Sequence, residues 1–494
     1  MRKAVTMVCI LLIAGLALAQ REPGWDGQVT PEDEILYGKP AVTEPMPSIQ
    51  QQQDQLRGDV PGLVGLLPLS QEHQGLVRGN APEMLANTWS WGPNWTTLNL
   101  TRFDGEYFPG TNKVYFLGGR LADGTTTGAI WSYDPATQTY TNMNVSLQTP
   151  ISNYDVVYLR DNWSSLDTFG LYVVGGRMST GTFTRDVQVY YPRSNTVRTV
   201  TTDPYNDSVA SNPCMPGAIS ACGNKLYAFG GITTSFAPYV SVHSYVYDPL
   251  AAPGARWTQL SNLPLGRGYM IGAVVDSFVY ACGGDTYNGA ALIAQAQAWK
   301  LNTLNPAGGW TAIANMPDIN GEARAIGFNL GSPYTADGVP VAQKFIVCGR
   351  GIWASEDSAC YIYNTTNNTW GQFPKLNFSR RNHAVALIPG SGTSNGVPGM
   401  WVWGGRHTSD AWLTDSSEFF QLIIPVSADV GVTQITAPAG LFCTCDTMWP
   451  KARVKNWGAA NQADVPVRYV IWDSTTRVYD QTIHISVDAG ATVE

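Results

Sequence analysis

Short apolar runs that end in a pair of glycines punctuate the middle of this chain. VYFLGG closes at Gly118 and Gly119, LYVVGG at Gly175 and Gly176, LYAFGG at Gly230 and Gly231, VYACGG at Gly283 and Gly284, and MWVWGG at Gly404 and Gly405. FIVCGRG at Gly349 is a sixth copy with Arg350 between its glycines. The first glycines are 57, 55, 53, 66 and 55 residues apart. Each run is too short for a helix and is bounded by Gly, Asn, Asp or Pro, so it reads as a strand. A period above fifty residues leaves room for one four-stranded sheet per repeat and is too long for a helical solenoid unit.

Every repeat follows one grammar. A strand such as AVALIPG precedes the double-glycine strand, a variable loop follows, and an aromatic strand such as IWSYDP leads through a turn to a last strand opened by an aromatic residue. Tyr133 with Tyr140 and Tyr363 with Trp370 show the pairing; Tyr247 with Trp257 and Trp299 with Trp310 stretch it. Glycines allow close backbone approach near a crowded axis, and large aromatics fill the widening wedge between neighbouring sheets.

These units resemble kelch repeats, as in residues 114–119 followed by Tyr133 and Asp134, or Val246, Tyr247 and Asp248 followed by Trp257. Unit two departs from the pattern with Val197 in place of the final aromatic. The resemblance implies an all-β chain: a six-bladed kelch propeller over residues 86–425. Unit six reaches Phe419 and Phe420 without a fourth-strand aromatic, while NWTTLN places Trp95 ahead of unit one without glycines of its own. We therefore expect a strand within 88–98, near Trp95, to complete the last blade and close the ring.

The flanks read differently. Arg2 and Lys3, an apolar run from Met7 to Leu18 and the small residues before Gln20 describe a secretory signal peptide over residues 1–19. Residues 20–85 are rich in Pro and Gln without period, an extended leader. After Pro425 the alternation shortens, with Gly and Asn turns, and residues 426–494 resemble a CARDB-type immunoglobulin-like β-sandwich lacking about one strand at Glu494. Nothing after residue 19 is apolar for long enough to span a membrane.

Charge narrows the partners. Removing Arg2 and Lys3 from 30 basic and 38 acidic residues leaves 28 minus 38, or −10, which disfavours nucleic acid and anionic lipid. A secreted or cell-surface, monomeric scaffold for a glycan or protein ligand is the expected function. The alternative is an extracellular carbohydrate-active enzyme, either a galactose-oxidase-like oxidase or a sialic acid mutarotase-like isomerase.

In an antiparallel blade, the loops joining strands two and three and those entering the next blade emerge on one face. Onto it the repeat places Arg120, Arg177, Arg350 and Arg406 after the glycines, and Arg102, Arg267, Arg324, Arg380 and Arg381 on the other loops. Guanidinium groups bind carboxylate or sulfate bidentately. The competing reading is loop-to-loop ion pairing with Asp123, Asp186, Glu322 or Asp410. Carboxylates placed to serve glycoside hydrolysis are Glu106, Asp155, Asp285, Glu322, Glu356 and Asp357.

No cofactor is expected. A copper radical oxidase needs two histidines, two tyrosines and an adjacent Tyr-His pair, and the chain offers only His73, His243, His383, His407 and His484, with no such pair. His383 and His407 share unit six and are the two placed toward the face. The turns typical of sialidase propellers, Ser-x-Asp-x-Gly-x-x-Trp, do not occur. Cys348 with Cys360 and Cys214 with Cys222 are the disulfide candidates, whereas Cys443 and Cys445 are too close together for an ordinary bridge.

Overall fold

The structure, a computed structural model, describes residues 88–96, 100–233, 240–289, 291–336, 338–352, 355–390, 398–407, 412–424, 430–437, 449–458, 460–473 and 476–494. The signal peptide, the leader, His73, Asp410, Cys443 and Cys445 lie outside these residues.

Six antiparallel sheets follow one another along the larger compact unit. We number them blades 1 to 6. Their inner strands are Gly105–Phe108, Val157–Arg160, Asn212–Cys222, Ile271–Val275, Arg324–Phe328 and Ala384–Ile388. Each inner strand touches the next, and that of blade 6 touches that of blade 1, so the six form a circle. The second strand of each blade carries the apolar run, and beyond its glycines the connection to the third strand continues as a hairpin or a bridged turn in every blade.

The glycines do what a close approach demands. At Gly283 the backbone sits at φ +59, and a Cβ there would fall 2.0 Å from the Asn320 carbonyl of the next blade. In blade 5 only the first position, Gly349, needs the left-handed region (φ +74), and Arg350 takes the second with an ordinary backbone. The irregular GRG therefore serves the same turn as the pairs.

Blade 6 draws its outer strand from the start of the described chain. Ser90–Trp91 pairs antiparallel with Ser417–Gln421, Ser90 opposite Phe419. The aromatic in the outer-strand role is Trp89 and not Trp95. Its indole N–H donates to the Pro374 carbonyl at 2.8 Å, as Trp370 donates to Ala314 at 2.8 Å and Trp257 to Asp203 at 3.0 Å. Trp95 belongs instead to the core of blade 1, stacked on Tyr140 at 4.9 Å.

The smaller unit contains the antiparallel strands Val430–Ala437, Lys451–Asn456 and Thr492–Val493, and a long hairpin, Gln462–Asp473 with Thr476–Val487. Val454, Val467 and Val487 form its buried cluster.

Candidate functional site

The site is built on a backbone collar. In five blades a non-glycine residue two to four places before the inner strand stands in the left-handed region: Arg102 (φ 55), Asn153 (φ 60), Tyr269 (φ 49), Glu322 (φ 56) and Asn382 (φ 55). Such backbone is uncommon for a non-glycine residue and marks an outlier at one as bulky as Tyr269. The collar is tied peptide to peptide. Arg102 N–H donates to Asn382 (2.8 Å), Asn153 to Arg102 (2.8 Å), Asn382 to Glu322 (2.9 Å) and Glu322 to Tyr269 (3.3 Å).

The collar brings together charges that lie far apart in sequence. Glu322 is 3% exposed and receives Arg381 Nη1 at 2.6 Å and Arg102 Nη1 at 3.5 Å. Arg324, from blade 5, reaches Asp155 of blade 2 at 3.0 Å and Asp104 of blade 1 at 3.8 Å, and donates to the Tyr154 carbonyl at 2.8 Å. The space among Asp155, Tyr269, Glu322, Arg324 and Asn382 is about 30 Å³. That admits a water or two and lies far below the ~300 Å³ of a small-molecule pocket.

The arginines separate into classes. Arg120, Arg177 and Arg406 occupy equivalent bridged positions opposite Thr101, Ser152 and Arg381, and all three are buried. Asp285 takes that position in blade 4, opposite Gly268. Arg350 stands one residue earlier at the rim, 3.2 Å from Asp318 and bonded to the Ile319 carbonyl. Arg267 donates to Gln297 at 3.0 Å and lies over Trp299. Arg380 is a buckle within blade 6, bonded to Gly404, Ser416 and Glu418, the last at 2.7 Å.

The histidines are separated by role. His383 is fully buried and its Nε2 donates to the Cys348 carbonyl at 2.9 Å. Tyr154, at the equivalent position of blade 2, makes the same bond to Leu117 through its hydroxyl, so this side chain ties a blade to the one before it. Burial, with Arg380 and Arg324 nearby, holds the His383 imidazole well below its ordinary pKa. His407 Nδ1 donates to the Ser379 carbonyl at 2.9 Å and its ring packs on Phe378.

Burial also lifts carboxyls near the axis. Asp104 rises to about 7, chiefly by desolvation and against the pull of Arg324, and Glu106 to about 8 by desolvation and the neighbouring Asp104. Asp285 is held well above the carboxylate range by burial and Glu322, and Glu356 is raised by burial. Among the carboxylates proposed as arginine partners, Glu322 is one. Asp123 instead caps its own turn at Thr125, and Asp186 accepts from Thr149.

Neither disulfide candidate is joined. Cys214 and Cys222 stand toward opposite ends of one strand, Asn212–Cys222, eight residues or roughly 26 Å apart at ~3.3 Å per residue, far beyond bridging range. Cys348 and Cys360 are neighbours on paired strands, but both thiols are free and the Cys360 sulfur accepts the Gly349 N–H at 3.4 Å. Among the described residues no group of three or more His, Cys, Asp or Glu is placed to hold a metal ion.

The sequence pattern missed the collar and Asp104; Glu322 and Asp155 were named, but not the arginines they meet. A signal was there: Thr-Arg-Phe-Asp, Ser-Asn-Tyr-Asp and Arg-Asn-His-Ala stand at the entries to three inner strands, and Asn favours left-handed turns. The model of the kelch motif matches residues 171–204, which hold the second to fourth strands of blade 2. No curated protein matches the chain. Among solved structures, one titled "Structure of YjhT" is similar over 66% of this chain and 96% of that one, with 15% identity and a TM-score of 0.47. With its kelch motif set in a series of small antiparallel sheets, the protein has an all-β, kelch-type β-propeller fold.

Proposed function

We propose that this protein is a secreted or surface-exposed binding scaffold that engages a carbohydrate or protein ligand with the hairpin-bearing face of its propeller. One observation carries the reading: the buried axial arginines face carboxylates of the same chain and leave about 30 Å³ among them. A ligand on this face therefore meets the rim. Ile293 (40% exposed) and Ile319 (37%) stand there, Ile319 beside Arg350, Asp318 and Asp357. Mixed apolar and charged rims suit macromolecular contact more than enclosure of a small molecule.

The C-terminal unit, in this reading an immunoglobulin-like module, serves as spacer or attachment. Export through residues 1–19 is checked by sequencing the N-terminus of protein recovered from culture medium, with Gln20 expected first. A glycan array probed with wild type and with the Ile293→Ser, Ile319→Ser double variant tests the binding face. Loss of signal in the variant supports the rim, and undiminished signal removes it.

A second reading is an isomerase of sugar acids. Asp104 and Glu106, lifted to about 7 and about 8, are poised to exchange protons near neutrality. Proton NMR of a freshly dissolved sugar acid would show accelerated anomer exchange that Asp104→Asn abolishes.

A further inference from the structure

On the face opposite the hairpins, neighbouring blades are stitched turn to turn. Arg160 N–H donates to Asn224 (2.8 Å), and Asn224 returns a bond to the Arg160 carbonyl (3.1 Å). Cys222 bonds the Asp276 carbonyl (3.4 Å); Asp276 N–H donates to Asn329 (2.7 Å), and Leu330 N–H donates back to the Asp276 carboxylate (2.8 Å). Between blades 1 and 2 the corresponding place is a groove of about 250 Å³. That is close to the lower end of the ~300–1,000 Å³ range of small-molecule sites, the scale of a single ring.

Its walls are aromatic. Tyr158 and Phe169 are stacked at 4.9 Å with 2° between their planes, and Phe108 meets Tyr158 edge-on at 5.5 Å. Three of the lining residues carry polar side-chain groups: the Tyr158 hydroxyl, the Thr168 hydroxyl and the Arg193 guanidinium. None makes a hydrogen bond to another described residue, whereas the axial arginines are held by carboxylates. Gly110 makes the placement of Arg193 possible, because a Cβ there would lie 2.6 Å from the Phe108 ring and 3.1 Å from Arg193 Nε. An aromatic wall with a few hydroxyls matches the apolar ring face and hydroxyl edge of a sugar, and an unpaired guanidinium calls for a carboxylate.

We propose that this groove is a second binding site, separate from the hairpin face, for a saccharide residue that carries a carboxylate. The sugar ring lies against Tyr158 and Phe169, its carboxylate pairs with Arg193, and its hydroxyls reach Thr168 and Tyr158.

Isothermal titration of the full chain with trigalacturonic acid, galactotriose and benzoate tests this. Saturable binding of one trigalacturonate is expected, at least about tenfold tighter than galactotriose or benzoate, and weakened about tenfold or more by Arg193→Gln, an exposed position whose change leaves the core intact. Phe169→Leu, which keeps the apolar volume and removes the aromatic face, should weaken it similarly. The Ile293→Ser, Ile319→Ser double variant, on the other face, should bind as wild type does. Absence of binding, equal affinity in Arg193→Gln, or equal or tighter binding of galactotriose or benzoate would overturn the proposal.

Discussion

Arg381 and Glu322 form a buried ion pair at the propeller axis, with Nη1 2.6 Å from Oε2 and essentially no solvent contact on either side chain. Arg102 approaches the other oxygen at 3.5 Å, so one carboxylate from blade 5 holds guanidiniums from blades 6 and 1. Removing one member of a buried pair strands the other charge, a cost of about 3–5 kcal/mol. Glu322→Gln should lower the denaturation midpoint accordingly, read by urea titration followed by tryptophan fluorescence. A variant as stable as wild type would mean that the pair does not hold the collar.

The lifted carboxyls set a pH dependence. Asp104 moves from 3.8 to about 7 and Glu106 from 4.5 to about 8 in the folded protein. A carboxyl that binds its proton more tightly when folded contributes stability that is complete below its unfolded pKa and is lost as pH rises through the folded one. Melting temperature should therefore fall from about pH 5 to about pH 8 through these two groups. Glu106→Gln should flatten the slope and raise stability at pH 8 by up to about 4 kcal/mol, since a tenfold change in proton affinity on folding is worth ~1.4 kcal/mol. Melting curves across this range check it; an unchanged slope in the variant counts against the assignment.

Ring closure depends on Trp89, 2% exposed, bonded to Pro374 and packed edge-on against Phe420 at 5.6 Å. Trp89→Ala leaves a cavity and frees the edge of blade 6, a cost of ~3–5 kcal/mol. Calorimetry should show a melt lower by several degrees. Trp89→Phe, which keeps most of the volume and loses the 2.8 Å bond, should fall between the two.

His383 acts as a tie between blades and not as a ligand. His383→Tyr preserves the chemistry that Tyr154 supplies at the equivalent position, whereas His383→Ala removes it. Loss of the bond and the cavity together should cost ~2–4 kcal/mol in the alanine variant, with the tyrosine variant recovering part of it. Equal stability of His383→Ala and wild type in urea would refute the tie.

The sheets were legible because each rests on local, repeated signals: apolar runs closed by Gly118 or Gly404, and Tyr363 and Trp370 facing each other across outer strands. The closing strand was legible as a shortage in unit six, but its aromatic was misplaced by six residues. Trp89 and Trp95 both precede unit one, and only packing against Phe420 or Tyr140 separates them. The arginines were visible, and Glu322 among their candidate partners, but not which guanidinium meets which carboxylate. Arg324 meets Asp155 and Asp104 across the axis, a juxtaposition set by ring geometry with no trace in local spacing. Cys214 and Cys222, named as a disulfide candidate, are held apart by one continuous strand.

Arg102, Arg324 and Arg381 at the axis are paired with carboxylates of the same chain, and on this pairing the reading of the hairpin face rests. Isothermal titration of the full-length protein with sulfate measures this directly, comparing wild type with Arg324→Gln. No saturable heat that depends on Arg324 is expected. One sulfate bound per chain in wild type and lost in folded Arg324→Gln would contradict it, and would make the axis an anion site.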